Sequence, residues 1–525
     1  MSNRRVSPPE PFIGVSMERF EARLESDGFG PGSLGPGMDM VRTVVQCSLP
    51  MPPVSPAAPL SLAGAAWLPG GGGADRISAL PDRLLRDIIS RLPAADGART
   101  AALASRWRPL WRSAPLVVAD THLLPLGVGE EDSPGVADLV TRVLGAHPGP
   151  FRCVHLTRTA MDAHRGEIAR WLEVLAAKGV QELAFINRPW PLDIRLPATL
   201  FRCAPLTRLF LSAWRLPDTA AVPRSAAFPN LRELGLSVVA MEDRDLAFLL
   251  DRSPVLEILT VILSQVPVRL RLVSHSVRCV QLCYSIVAEV LVVDAPRLES
   301  LLQSWGLGNK PRRCCRVKIG HAPKLRVIGY LQPGEHDLEI GNTAIKAGTK
   351  LTTSTLVPSV EILALELKFQ VRSHLKKVPN FLRCFPNVET LHIQSEKACE
   401  EPTGKVGLKF WLEGGPITCI RQQLKKLIFR EFRGSTNEVA FLKFVAEKAR
   451  VLEKMVVVVY LSSGVDVSAM LKPLTCAKWA NEACKLQVYK SIYSDGSRPV
   501  YSVRLASEVS PANPFDLKDY YESLL

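Results

Sequence analysis

No stretch of eighteen consecutive apolar residues occurs in this 525-residue chain, so nothing in it reads as a membrane-spanning helix. The nearest run, AAPLSLAGAAWLPG at 57–70, is too short and is bounded by prolines. The N-terminus lacks the charged-then-apolar pattern of a secretory signal. No N-x-[ST] sequon is present, and twelve cysteines are scattered without framework spacing, a combination that points to an intracellular reducing compartment, cytoplasmic or nuclear, with buried free thiols. Catalytic signatures are missing too: there is no G-x-S-x-G, no P-loop, no H-E-x-x-H and no apolar helix carrying paired carboxylates. Catalysis by this chain is therefore not expected. The best metal candidate, His275-x-x-x-Cys279-x-x-x-Cys283 with Cys314, Cys315 and His321 further on, is loosely spaced, so neither a metal nor a cofactor is expected.

What the chain does have is unevenly distributed. Proline and glycine crowd residues 1–74 in GFGPGSLGPG, SLPMPPVSPAAP and LPGGGGAD, which read as a disordered leader. Gly30-Pro31-Gly32-Ser33-Leu34-Gly35 matches a dinucleotide fingerprint only formally, because no strand precedes it and no helix follows. The net charge of +14 is spread along the whole chain, without the interleaved aromatics of a single-strand platform. Nucleic acid is for that reason a secondary alternative and not an expected partner.

Residues 80–93, LPDRLLRDIISRLP, place Leu84, Leu85, Ile88, Ile89 and Leu92 at helical spacing, with Asp82 in the first turn and Pro93 as the stop. The spacing predicts a helix over 82–92 and a second over 95–106, with Leu103, Trp107 and Trp111 as a stripe and Arg106, Arg108 and Arg112 as a solvated face. So short a segment is marginal alone and must complete its core elsewhere. The order LPD, L, I, RLP, RT, L, SRW, LW resembles the F-box over residues 75–118. That resemblance implies a three-helix module docking on the Skp-type adaptor of an SCF (Skp, cullin, F-box) ubiquitin ligase, with Leu80, Pro81, Leu84, Ile88, Leu92, Leu103 and Trp107 as adaptor-binding residues. Gly97 and Pro109 depart from a regular helical register.

Beyond the F-box-like segment, apolar-x-x-apolar-x-apolar recurs, from FRCVHL at 151 through LTRLFL at 206 and VEILAL at 360 to LKKLIF at 424, at intervals of 21 to 36 residues. Each copy is one short strand that cannot bury its apolar face alone, so stacked neighbours build a continuous core. The pattern is similar to plant F-box leucine-rich repeats. The residues between inward positions form one row along the concave face, and a protein client is expected there, on His155, Phe210, Thr260, Gln281 and His392, with Trp214 flanking Phe210.

Residues 423–460 read as strand, turn, helix, strand, with a capping box from Ser435 to Glu438. FRGSTNE and ARVLEKM within them are similar to the FBD domain of plant F-box proteins, and Lys425, Lys426, Arg430 and Arg433 read as a solvated face. The expected fold is α/β: a short all-α F-box module at 75–118, an irregular leucine-rich-repeat solenoid at 150–400, and an FBD block with C-terminal cap at 405–525. The expected function is that of a non-catalytic substrate receptor, joined through a Skp-type adaptor to cullin and holding an unidentified protein client, with no membrane contact. A ligase-independent scaffold and a basic nucleic-acid binder stay open as alternatives.

Overall fold

Proline stands at the N-terminal boundary of two short helices. Pro81 precedes α1 (Asp82–Ile89) and Pro93 precedes α2 (Ala94–Thr100), each with its extended backbone angles just outside the helix. A turn then leads to α3 (Trp107–Ser113), in which Pro109 sits within the first turn, where its missing N–H is not needed. The structure, a computed structural model, describes residues 44–46, 48–50, 53–54, 77–123, 133–159, 161–187, 194–223, 225–264, 266–304, 315–396, 404, 406–460, 467–491, 503, 513–516 and 521–523. Most of the expected leader, 1–74, lies outside them. The helix predicted at 82–92 stops three residues early, and the one predicted at 95–106 ends at Thr100, because the chain turns over 101–106 before α3 begins.

The chain divides into two compact units, Met1–Leu256 with Ile262–Val266, and Glu257–Val261 with Pro267–Leu525. In the first, β1 (Leu116–Ala119), β2 (Phe151–Leu156), β3 (Glu182–Ile186), β4 (Arg208–Ser212) and β5 (Glu233–Ser237) pair in parallel in chain order. The helices α4 (Ser133–Ala146), α5 (Arg165–Ala177) and α6 (Asp243–Asp251) are interleaved between strands. Register aligns equivalent repeat positions: Leu183, Leu209 and Leu234 form one buried row, and Ala184, Phe210 and Gly235 form the neighbouring row on the opposite face.

At the corners after β4 and β5 stands a residue with left-handed backbone, Ala213 (φ 59°) and Val238 (φ 52°). For a β-branched residue that conformation costs about 1–2 kcal/mol. It is offset by the ladder it completes, since the Ala213 N–H donates to Ser237 O at 3.0 Å and the Val238 N–H to Ile262 O at 2.9 Å. The next strand, β6 (Ile258–Ile262), has residues in both units.

The second unit contains two sheets. One runs through β8 (Cys279–Cys283), β10 (Ser300–Gln303), β12 (Val327–Leu331), β15 (Ile362–Leu367), β16 (Thr390–Ser395), β17 (Lys426–Phe432), β18 (Lys454–Val459) and β19 (Lys485–Ser491), all parallel, with β20 (Tyr521–Ser523) antiparallel to β19. The other consists of β7 (Val268–Val273), β9 (Val287–Asp294), β11 (Cys315–His321) and β13 (His336–Ile340), parallel, and β14 (Thr343–Ala344) paired antiparallel with β13. This second sheet explains the 21-residue repeat intervals: a strand stands where longer repeats carry a helix. Leu270, Val290, Val317 and Leu338 form its buried row, while Arg316 on the outer face pairs with Glu289 at 3.2 Å and Glu339 at 2.8 Å.

Helices return toward the C-terminus. After α7 (Arg372–Leu375) and α8 (Val378–Arg383) come α9 (Leu408–Glu413), α10 (Thr418–Gln422), α11 (Thr436–Lys448) and α12 (Val467–Thr475). Among the described residues no helix is long and apolar enough to cross a membrane.

Candidate functional site

The helical module sorts its apolar residues onto two faces of α1. Leu85 and Ile89 are fully buried, together with Trp107 and Leu110 of α3. One position earlier in each turn, Leu84 and Ile88 are 48% and 39% exposed, and Leu103, in the turn before α3, is 67% exposed. Leu80 and Leu92 are half-buried and Pro81 is exposed. Trp107, read from the sequence as docking surface, is instead core: it faces inward, 5% exposed. Nor do the tryptophans form one stripe with Leu103. Trp111 sets its ring edge-on to the buried His147 at 5.3 Å.

Arg106 is exposed, as the sequence reading has it, and it also ties two segments together. Its guanidinium donates to the Asp82 carboxylate at 2.6 Å, to Leu80 O at 2.8 Å and to Ser78 O. It clips the turn at 77–80 to the start of α3, so the loop before α1 and the helix two elements later hold one geometry.

The five residues read as a client-contacting row are not exposed. His155, Phe210, Thr260, Gln281 and His392 are each 5% exposed or less. The expected alternation is present, but in a parallel sheet of short strands the side chains of this row stand shoulder to shoulder and cover one another. Phe210 lies across the space beside Gly235. A shallow notch at this row is lined by Pro50, His155, Arg208, Phe210, Glu233 and Gly235, and Arg208 bridges Glu233 at 2.8 Å and Glu182 at 3.4 Å. Burial, with help from Arg208 and His122, holds the His155 imidazole down at about 4. Trp214 is no flank to this row. It is fully buried, stacked on Phe185 at 4.8 Å, and its indole N–H donates to Phe185 O at 2.8 Å.

In the second unit the row is covered by the chain itself. Phe515, fully buried, sets its ring 5.1 Å from that of His392 and 5.2 Å from that of Tyr330. The Asn513 amide donates to His392 Nε2 at 2.9 Å, and Arg430 donates to Phe515 O. Burial, reinforced by Arg430 and Lys426, holds the His392 imidazole well below its usual range. The structure corrects the solvated reading for Arg430, which is 5% exposed, and for the half-buried Lys426 and Arg433: Lys426 pairs with Asp516 at 3.5 Å and Arg433 stacks on Tyr460 at 4.8 Å; Lys425 is exposed, as read, and pairs with Glu389 at 2.9 Å.

The motif 432–438 is a local staple. Ser435 caps α11 in a capping box with Glu438. The fully buried Glu438 carboxylate accepts from Ser395 Oγ at 2.6 Å, Ser435 N at 2.8 Å and Arg433 N at 3.2 Å. Asn437 donates to Phe369 O at 2.6 Å and accepts from Val406 N at 2.8 Å, tying α11 to two other segments.

Of the metal candidates, Cys314 lies outside the described residues and the others do not converge. Cys279 and Cys283 are buried in β8, whereas His275 and His321 both lean on Asp294, at 3.6 and 2.7 Å. Among the described residues no group of three or more His, Cys, Asp or Glu could hold a metal ion. Burial pushes the thiols of Cys203, Cys384 and Cys419 up to about 12, which leaves them protonated and unreactive.

A family model described as the LRR repeats of FBD-associated F-box protein At5g56370 matches residues 168–393, and an FBD model matches 413–457. F-box/LRR-repeat protein At3g26922 of Arabidopsis thaliana is 31% identical over 36% of this chain, and the match spans 60% of that protein's own length. F-box/LRR-repeat protein 13 of the same plant is 24% identical over 80% of the chain and 97% of its own length. FBD-associated F-box protein At5g60610, also from Arabidopsis, is 25% identical over 72% of the chain and 98% of its own length. Stacked repeat strands followed by the stapled α11 segment define a leucine-rich-repeat protein with an FBD domain. In its repeats, in its FBD segment and over most of its length the chain is similar to the F-box/FBD/LRR-repeat proteins of Arabidopsis, the plant family its sequence motifs resemble.

Proposed function

We propose that this protein is a substrate-receptor subunit of an SCF-type ubiquitin ligase. Residues 75–118 dock the Skp-type adaptor and, through it, cullin; the repeats over 150–400 and the block over 405–525 hold a protein client. The observation that carries this reading is the exposed apolar set Leu84, Ile88 and Leu103, presented by a module whose own core is filled by Leu85, Ile89, Trp107 and Leu110. Exposed apolar side chains beside a completed core make a surface that a partner can desolvate. Leu80, Pro81 and Leu92 border it.

Transfer of ubiquitin to a client lysine would take place on other subunits, and the receptor contributes proximity and orientation. Residence in the cytoplasm or nucleus goes with that role. Co-purification with a Skp-type adaptor and cullin tests it. Capture of adaptor without cullin would favour the ligase-independent scaffold.

A further inference from the structure

Asn513-Pro514-Phe515-Asp516 folds on itself: the Asp516 N–H donates to Asn513 O at 3.0 Å and the Phe515 N–H to Asn513 Oδ1 at 3.1 Å. Asn at the first position and Pro at the second are the residues this kind of turn selects, so the segment carries its shape locally. Its contacts with the rest of the second unit are specific and distributed over the whole turn. The phenyl ring meets Tyr330 and His392, the Phe515 carbonyl accepts from Arg430, the Asn513 amide reads His392 Nε2, and Asp516 faces Lys426. Arg430 is itself set by the Tyr330 hydroxyl at 3.2 Å, so the receiving side chains are organised among themselves. Aromatic anchor, backbone carbonyl, amide and carboxylate thus each have a matched partner, as a ligand has in a recognition site.

From these contacts we infer that the face of β12, β16 and β17 bearing Tyr330, His392, Arg430 and Lys426 is a peptide-binding site, and that residues 513–516 are its resident intramolecular ligand. The site takes a turn-forming Asn-Pro-aromatic-Asp segment, and a client carrying that chemistry displaces the chain's own copy. That the natural ligand is a client rests on the receptor reading above; the binding itself does not. A tethered ligand competes at an effective concentration on the order of millimolar, so a free peptide meets a closed site until the tether is weakened.

The test uses the full chain and a fluorescent synthetic peptide of residues 510–519. Anisotropy should show at least tenfold tighter binding to Phe515→Ala than to the unsubstituted protein. The same peptide with alanine at its phenylalanine should not bind, and Arg430→Met added to Phe515→Ala should abolish binding. A folded Phe515→Ala chain, verified by circular dichroism, that binds no peptide would overturn the inference and leave the turn as packing. If Phe515→Ala unfolds, the pair Asn513→Ala/Asp516→Ala decides, because it keeps the ring and removes the flanking contacts; peptide affinity no better than that of the unsubstituted protein would overturn the inference equally. Adaptor capture by the same proteins separates the two readings, since a chain that captures adaptor but no peptide loses only this site.

Discussion

The ring of Phe210 fills the space that a side chain at position 235 would need: a Cβ added to Gly235 would collide with one edge of that ring. The two residues are register partners on β4 and β5, so the aromatic side chain is accommodated only because its neighbour has none. Gly235→Ala should lower stability by about 1–3 kcal/mol, the usual cost of forcing atoms into a packed site. Denaturant unfolding checks this, and Gly235→Ala made in a Phe210→Ala background should cost far less.

Acid should destabilise the repeats through their buried histidines. His155 is held at about 4 by burial, Arg208 and His122, against an ordinary value near 6.5, so the fold favours its neutral form. The unfolded chain takes up a proton near pH 6.5 and the folded chain only near 4. The stability tied to this histidine is therefore complete above 6.5 and is lost as pH falls from 6.5 to 4, about 3 kcal/mol in all. His122, His147 and His392 are lowered in the same direction, by burial first. His155→Gln should accordingly flatten, without abolishing, the fall in stability between pH 7 and 4.5; an unchanged slope would mean that His155 is hydrated.

Glu438→Ala should cost about 2–4 kcal/mol, because it strands a buried hydroxyl and two backbone N–H groups and removes half of the α11 capping box. Glu438→Gln keeps the acceptor oxygen and should recover part of the loss in a thermal melt. Equal melting of both variants with the unsubstituted protein would show that the staple contributes nothing.

The repeats were legible because alternate apolar residues return at each strand, and the capped α11 because Ser435, Glu438 and the apolar spacing of 439–449 agree with one another. The second sheet is not legible from the repeat template, although VRLRLV at 268–273 alternates cleanly, because that template places one strand in each repeat. Burial of the concave row could not be read from periodicity, which assigns a side chain to a face but not what lies over that face. The cover over His392 comes from residue 515, far along the chain. The tie made by Arg106 is not legible for a related reason: its partners lie 24 to 28 residues upstream, in the turn before α1 and at the helix's first residue, where no local pattern brings them together.

Adaptor docking depends most directly on the division of α1 into a buried and an exposed apolar face. Affinity of the full chain for a Skp-type adaptor, measured alongside circular dichroism for Ile88→Asp and Leu85→Asp, tests it. A charge in a desolvated contact costs several kcal/mol, so Ile88→Asp should keep the helical signal and lose at least a hundredfold in affinity, whereas Leu85→Asp should lose the fold of the module along with binding. A folded Ile88→Asp chain that binds the adaptor as tightly as the unsubstituted protein would contradict the assignment of this face as the docking surface.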